Sequence, residues 1–219
     1  MSALSILVAA HAVAGAVALL SMGVPLASRK GGPLHRRAGR VYTAAMAGVV
    51  VLAIVVAGAR LLDEASGNDG MSVFLILVAI LAGDTTWFGW MTAREQRSAP
   101  SLGHRAFPAA IAGVGVLAVV WGATGAGPLP LAFGILTAFV AGSQVRALRA
   151  GWPTGKARIR EHIASYIPSC IATTTAFLVV NAPNLPPAVR EAVPGIVVWL
   201  APTVVLTPAI FWFQRRYAD

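Results

Sequence analysis

Three histidines of this chain follow the same landmark. Gly15 is followed after 20 residues by His35, Gly83 after 21 by His104, and Gly142 after 20 by His162. In each case an apolar stretch holding Ala-Gly leads into a short basic loop and then the histidine. A neutral imidazole offers one N–H donor and one bare nitrogen that can ligate a metal. Two such rings from facing helices can hold a haem b iron, and nearby arginines can pair with its propionates. Arg36 and Arg105 directly follow His35 and His104 and suit that role. The same residues also suit a metal, or an anionic head group met at a membrane surface.

A second set lies inside apolar stretches. His11 and Asp84 are ionisable groups there, where such groups are costly and mark a pathway or site by default. His11 falls roughly 12 Å from one end of its helix and Asp84 roughly 18 Å from that side, so the two meet only if the first and third helices are neighbours. His162, Tyr166, Ser169 and Thr173 stand at i, i+4, i+7 and i+11, which keeps them on one helix face. They form a polar stripe to which Gln144 can add an amide. The stripe reads either as the wall of a polar cavity or as interhelical hydrogen bonding. Cys170 is a lone thiol in mid-span, read as a small core residue.

The elements that position these groups follow from composition. The chain is 57% hydrophobic and 11% charged, with mean hydropathy +0.74, against about 25% charged residues in a soluble domain. Seven segments are long enough to span a bilayer: 3–27, 41–62, 72–93, 105–125, 127–149, 161–182 and 191–213. Alternating-strand patterning is absent, so the fold class is all-α, a polytopic transmembrane bundle forming a single domain over 1–219. The net charge of +9 sits in alternate loops rather than on a nucleic-acid face. Arg29, Lys30, Arg36, Arg37 and Arg40 share one loop, Arg94, Arg97 and Arg105 another, Arg149, Lys156, Arg158 and Arg160 a third, and Arg215 and Arg216 the tail. Asp63, Glu64 and Asp69 occupy an intervening loop. The positive-inside rule then puts the N-terminus outside, the C-terminus in the cytoplasm and the basic loops against anionic lipid. Met1-Ser-Ala-Leu-Ser lacks the basic start of a cleaved signal.

The segment Ala45–Val55 also matches Ala110–Val120 nearly letter for letter. Together with the histidine spacing, this predicts three parallel helical hairpins plus a terminal helix interrupted by Pro194, Pro202 and Pro208. Pairs such as Ala44/Gly48 and Ala109/Gly113 are expected to permit close helix packing. No phosphate loop, dinucleotide glycine box, nucleophile elbow or HExxH zinc signature occurs, so no catalytic residue is assigned and the sequence does not decide whether the chain is an enzyme.

His11-Ala-Val-Ala-Gly followed by Pro33-Leu-His35-Arg-Arg-Ala-Gly-Arg40-Val-Tyr42 resembles the DUF2306 family of bacterial membrane proteins. That family is in turn similar in architecture to cytochrome b561-like haem bundles. The resemblance implies the bacterial cytoplasmic membrane, a haem site and an electron-transfer partner or quinone. Three readings stand. The first is a redox-type protein with one haem or metal at His35, His104 and His162. The second is a small carrier, or a lipid- or proton-coupled binding protein, using Asp84, His11 and the polar stripe. The third is a structural or assembly subunit.

Overall fold

The computed structural model describes residues 2–63, 69–94 and 99–218, so Glu64, Arg97 and Ser98 lie outside the described residues. Within them the chain is helical apart from short connections, with no strand. The helices are α1 (Ala3–Ala27), α2 (Pro33–Leu61), α3 (Asp69–Arg94), α4 (Leu102–Trp121), α5 (Pro128–Arg149), α6 (Gly155–Asn181), a short α7 (Pro187–Ala192) and α8 (Gly195–Tyr217). Seven of them, all but α7, are long and apolar enough to cross a membrane. The chain is a multi-pass helical membrane protein.

Local chemistry sets the boundaries. The Ser2 hydroxyl caps α1 by accepting from the Ser5 amide. Pro33 and Pro128 begin α2 and α5, where the missing N–H of proline costs nothing. A wide π-type turn, Gly122–Ala126, joins α4 to α5, and Gly125 and Gly127 take φ of 128° and 100° that disfavour any side chain. Three starts differ most from expectation. α2 begins at Pro33 rather than near residue 41, because its basic first turns are helical without being apolar. α6 starts at Gly155, because its polar first turns are helical without being apolar. The last span starts after Pro194, whose extended backbone ends the preceding turn, while Pro202 and Pro208 sit inside an unbroken α8.

α3 is the central helix, packed against α2 on one side, α6 on another, and α5 and α4 more lightly. α1 lies on α2, and α8 lies on α6. The tightest pairs are α1 with α2 and α4 with α5, whereas α3 and α4 touch only lightly. Of the expected hairpins, α1–α2 is tightly paired and α3–α4 only lightly, so the helix pairing does not by itself display the repeat. Gly48 does face Ala14, as its spacing predicts, but Gly113 faces open space. The close α4–α5 approach rests instead on Gly115 against Ala138, Gly122 against Leu131 and Gly134 against Val119. Val13, Leu20, Val204 and Val205 are exposed on α1 and α8, which is the composition of a lipid-facing surface.

Among the described residues the basic segments gather toward one end of the bundle, where Gln214 of α8 donates to the Arg160 carbonyl of α6. There the Lys30 ammonium donates to the carbonyls of Pro25 (2.7 Å) and Leu26 (2.6 Å) in the last turn of α1. It also lies 4.6 Å from the centre of the Phe213 ring of α8, a cation–π contact that ties the first loop to the last helix. Partial burial pushes this ammonium below its usual range.

Candidate functional site

At this basic end His35 and His162 face each other, with ring centres 6.4 Å apart and an angle of 62° between the rings. His35 is the third residue of α2 and His162 the eighth of α6. Each ring is fixed by a backbone carbonyl. His35 Nδ1 lies 3.2 Å from Pro25 O, one of the carbonyls left over at the end of α1. His162 Nδ1 lies 3.0 Å from Gly89 O in α3. A carbonyl only accepts, so Nδ1 carries the proton in both rings and Nε2 of each is the bare nitrogen. This is the orienting bond that ligating histidines usually make.

Gly89 makes the second anchor possible. A Cβ there would sit 2.6 Å from Tyr166 Cδ2 and 3.2 Å from Ser165 Cβ. Without one, α6 comes close enough for His162 to reach the Gly89 carbonyl and for Tyr166 to lie over α3. The His162 and Tyr166 rings are 4.8 Å apart.

Below the histidines the α6 stripe meets a matching stripe on α2. His35, Tyr42 and Met46 stand at i, i+7 and i+11, opposite His162, Tyr166, Ser169 and Thr173. Thr86 of α3 completes the group. The Thr86 hydroxyl donates to Ala82 O at 2.7 Å. Ser169 must then donate to Thr86 at 2.6 Å, and Tyr42 to Ser169 at 2.6 Å. Thr173 lies 3.2 Å from both the Tyr42 hydroxyl and the Met46 sulfur. By the same logic Tyr166 donates to Thr43 at 2.6 Å, because the Thr43 hydroxyl is spent on Gly39 O. These hydroxyls form a one-way series of donors that ends on backbone carbonyls and knits α2, α3 and α6 together.

His104 does not join this pair. It is the third residue of α4 and caps its own helix: Nδ1 accepts from Ser101, 2.6 Å from the hydroxyl and 3.3 Å from the amide, while the His104 amide donates back to the Ser101 hydroxyl. Its ring centre lies 5.3 Å from that of Trp152. With Nδ1 accepting, the proton of neutral His104 sits on Nε2, the opposite tautomer to the other two. Arg36 and Arg105 are exposed at the starts of α2 and α4. Among the described residues no group of three His, Cys, Asp or Glu is placed to hold a metal ion.

The intramembrane polar residues also pair differently from expectation. Gln144 does not join the α6 stripe. Its Nε2 donates to Asp84 Oδ2 at 2.8 Å, across the α3–α5 interface. His11 does not approach Asp84 either: α1 packs on α2 rather than α3, and His11 Nδ1 lies 3.1 Å from Val49 O of α2. Cys170 is buried in the cluster with Tyr42 and Met46 and makes no disulfide.

Sequence reasoning missed four members of the site: Tyr42, Thr43, Thr86 and Gly89. Tyr42 carried a signal, since it lies seven residues after His35 and so on the same face of α2. At the opposite end of the bundle a cavity of about 670 Å³ is lined by Phe74, Trp121, Leu129 and Trp199 among others, an apolar space without an ionisable group. Compared with protein-family models, with curated proteins and with solved structures, the chain has no match.

Proposed function

We propose that this is a redox-type membrane protein of the DUF2306 kind that binds one haem b, or one metal ion, between His35 and His162. The observation that carries the reading is the pair of imidazoles on separate helices, 6.4 Å apart, each anchored through Nδ1 and each with Nε2 free. Metal–imidazole bonds run at about 2.0–2.1 Å, so two rings sharing one ion stand roughly 6 Å apart centre to centre. His35 and His162, each with a bare Nε2, are the residues that would hold such an ion or a haem iron. Arg36, next to His35 at the basic end, is the residue placed to meet a propionate. A haem so held supplies one-electron transfer. The protein's own part is to fix the tautomer and direction of both rings and to surround them with a tightly hydrogen-bonded, apolar interior. On this reading the protein resides in a bacterial cytoplasmic membrane with the basic end inside, and its partner is an electron carrier or a quinone.

The test is a visible spectrum of the purified protein, air-oxidised and then dithionite-reduced. A Soret band with sharp reduced α and β bands is expected, lost in His35→Ala and in His162→Ala and kept in His104→Ala. A flat spectrum from protein expressed with ample haem, together with no bound metal by elemental assay, overturns the proposal.

A further inference from the structure

Asp84 and Gln144 are each 1% exposed, deep in the α3–α5 interface. The hydrogen bond between them, Gln144 Nε2 to Asp84 Oδ2, leaves two oxygens without a partner among the described residues: Asp84 Oδ1 and Gln144 Oε1. Both are acceptors. Lipid offers no water to satisfy them, and an isolated carboxylate charge there is more costly still.

The nearby donors are committed elsewhere. On α3, Thr85 donates to the carbonyls of Leu81 and Ala82, and Thr86 to Ala82. On α5, Thr137 donates to Phe133 O, and Arg146 and Arg149 are exposed at the helix end. On α6, His162 is bonded to Gly89 O and Tyr166 to Thr43, while the Cys170 thiol sits in the cluster with Tyr42. On α2, Tyr42 is bonded to Ser169, and on α4, His104 is bonded to Ser101. No salt bridge to Asp84 occurs among the described residues.

We infer that Asp84 and Gln144 form a proton-binding site in the bundle interior, one proton being held on Asp84 Oδ1 and donated to Gln144 Oε1. A carboxylic acid and a carboxamide are complementary at two points: the amide N–H donates to one oxygen of the acid and the acid O–H donates to the amide oxygen. The first half of that ring is present at 2.8 Å. One proton, taken from water, supplies the second half and satisfies both orphan oxygens together. A metal cation is a poorer occupant. Calcium takes about 6–8 oxygen ligands and magnesium a full octahedron, and this pair of side chains offers only two unpartnered oxygens. Release of the proton leaves both oxygens buried without a partner again, so occupancy of this site governs how firmly α3 holds α5. The inference does not depend on the histidine pair.

The experiment is infrared spectroscopy of the full-length wild-type protein in lipid nanodiscs at neutral pH, in H2O and in D2O. A carboxylic-acid C=O band above the amide I band is expected. It should move down in D2O, vanish in Asp84→Asn and shift in Gln144→Leu. Absence of any such band from the wild type, or its persistence in Asp84→Asn, overturns the inference, and the wild-type result needs no variant to fold. As a second measurement, Asp84→Asn restores a two-point amide–amide ring and should melt at the wild-type temperature, whereas Asp84→Ala should melt lower. A sodium-dependent rise in the wild-type melting temperature that Asp84→Asn abolishes overturns it in favour of a cation.

Discussion

Gly89→Ala is the substitution that most directly probes how α3 and α6 build the site. The added methyl would stand 2.6 Å from Tyr166 Cδ2, 3.0 Å from Cε2 and 3.2 Å from Ser165 Cβ. An unstrained carbon contact is about 3.5 Å, so α6 must retreat by roughly 0.9 Å or the Tyr166 ring must turn away. The ring is not free to turn: its hydroxyl is held by Thr43 at 2.6 Å, and its centre lies 4.8 Å from that of His162 and 6.0 Å from that of Tyr42. Retreat of the helix instead stretches the His162 Nδ1–Gly89 O bond from 3.0 Å to nearly 4 Å, outside hydrogen-bond range. Overpacking costs about 1–3 kcal/mol and the lost bond about 1 kcal/mol, so Gly89→Ala should destabilise by about 2–4 kcal/mol. The assay is unfolding of the purified protein in mixed micelles for wild type, Gly89→Ala, Tyr166→Ala and the double variant. Removing the Tyr166 ring opens the space the new methyl needs, so Gly89→Ala should cost at least about 1 kcal/mol less in that background. Wild-type stability for Gly89→Ala, or an equal cost in both backgrounds, would refute the reasoning.

Tyr42→Phe removes the first donor of the hydroxyl series and should cost about 0.6–1.7 kcal/mol, the range of interhelical hydrogen bonds in membranes, read by the same unfolding assay. Ser101→Ala removes the α4 cap and should cost about 1 kcal/mol, and the visible spectrum expected of the His35–His162 pair should not change. Gly134→Val drives a side chain into the Val119 amide and the Ala118 carbonyl carbon, 2.6 and 2.9 Å away. Backbone cannot yield as a flexible side chain does, so this variant should lose its folded yield on size-exclusion chromatography, while Gly113→Ala, facing open space, should elute as wild type.

What the sequence disclosed depended on whether the signal lay within one helix. The seven spans were legible because hydropathy accumulates along a segment. The α6 stripe was legible because i, i+4, i+7 spacing fixes a face whatever the partner is. Its counterpart on α2 showed only in the seven-residue step from His35 to Tyr42, since Tyr42 and Met46 count among the apolar residues until the polar atoms opposite them are known. The three histidines looked equivalent by their distance from Ala-Gly pairs. What separates them is a neighbour three residues away: Ser101 captures His104 for the cap, and no serine stands three residues before His35 or His162. Asp84 and Gln144 lie 60 residues apart, and no periodicity within α3 or α5 announces that they face each other. The same limit applies to the helix pairing, where local likeness between Ala45–Val55 and Ala110–Val120 does not carry over to which neighbour each helix chooses.

The glycine-lined contact between α4 and α5 bears on the order in which the protein comes into being. These two helices are neighbours in sequence, joined by a turn of a few residues, so closing them costs little chain entropy. Their hairpin can be complete as soon as Arg149 has been synthesised. Tyr42, in contrast, finds Ser169 and Thr173 only 127 and 131 residues further along the chain. Until α6 emerges, its hydroxyl and the bare edge of His35 have no lasting partners, and the first helices must wait in the membrane half-satisfied. The histidine pair can therefore form only once α6 has followed, with α8 still to dock on it, and a nascent chain halted before residue 155 holds every later-needed group of α2 and α3 but no site.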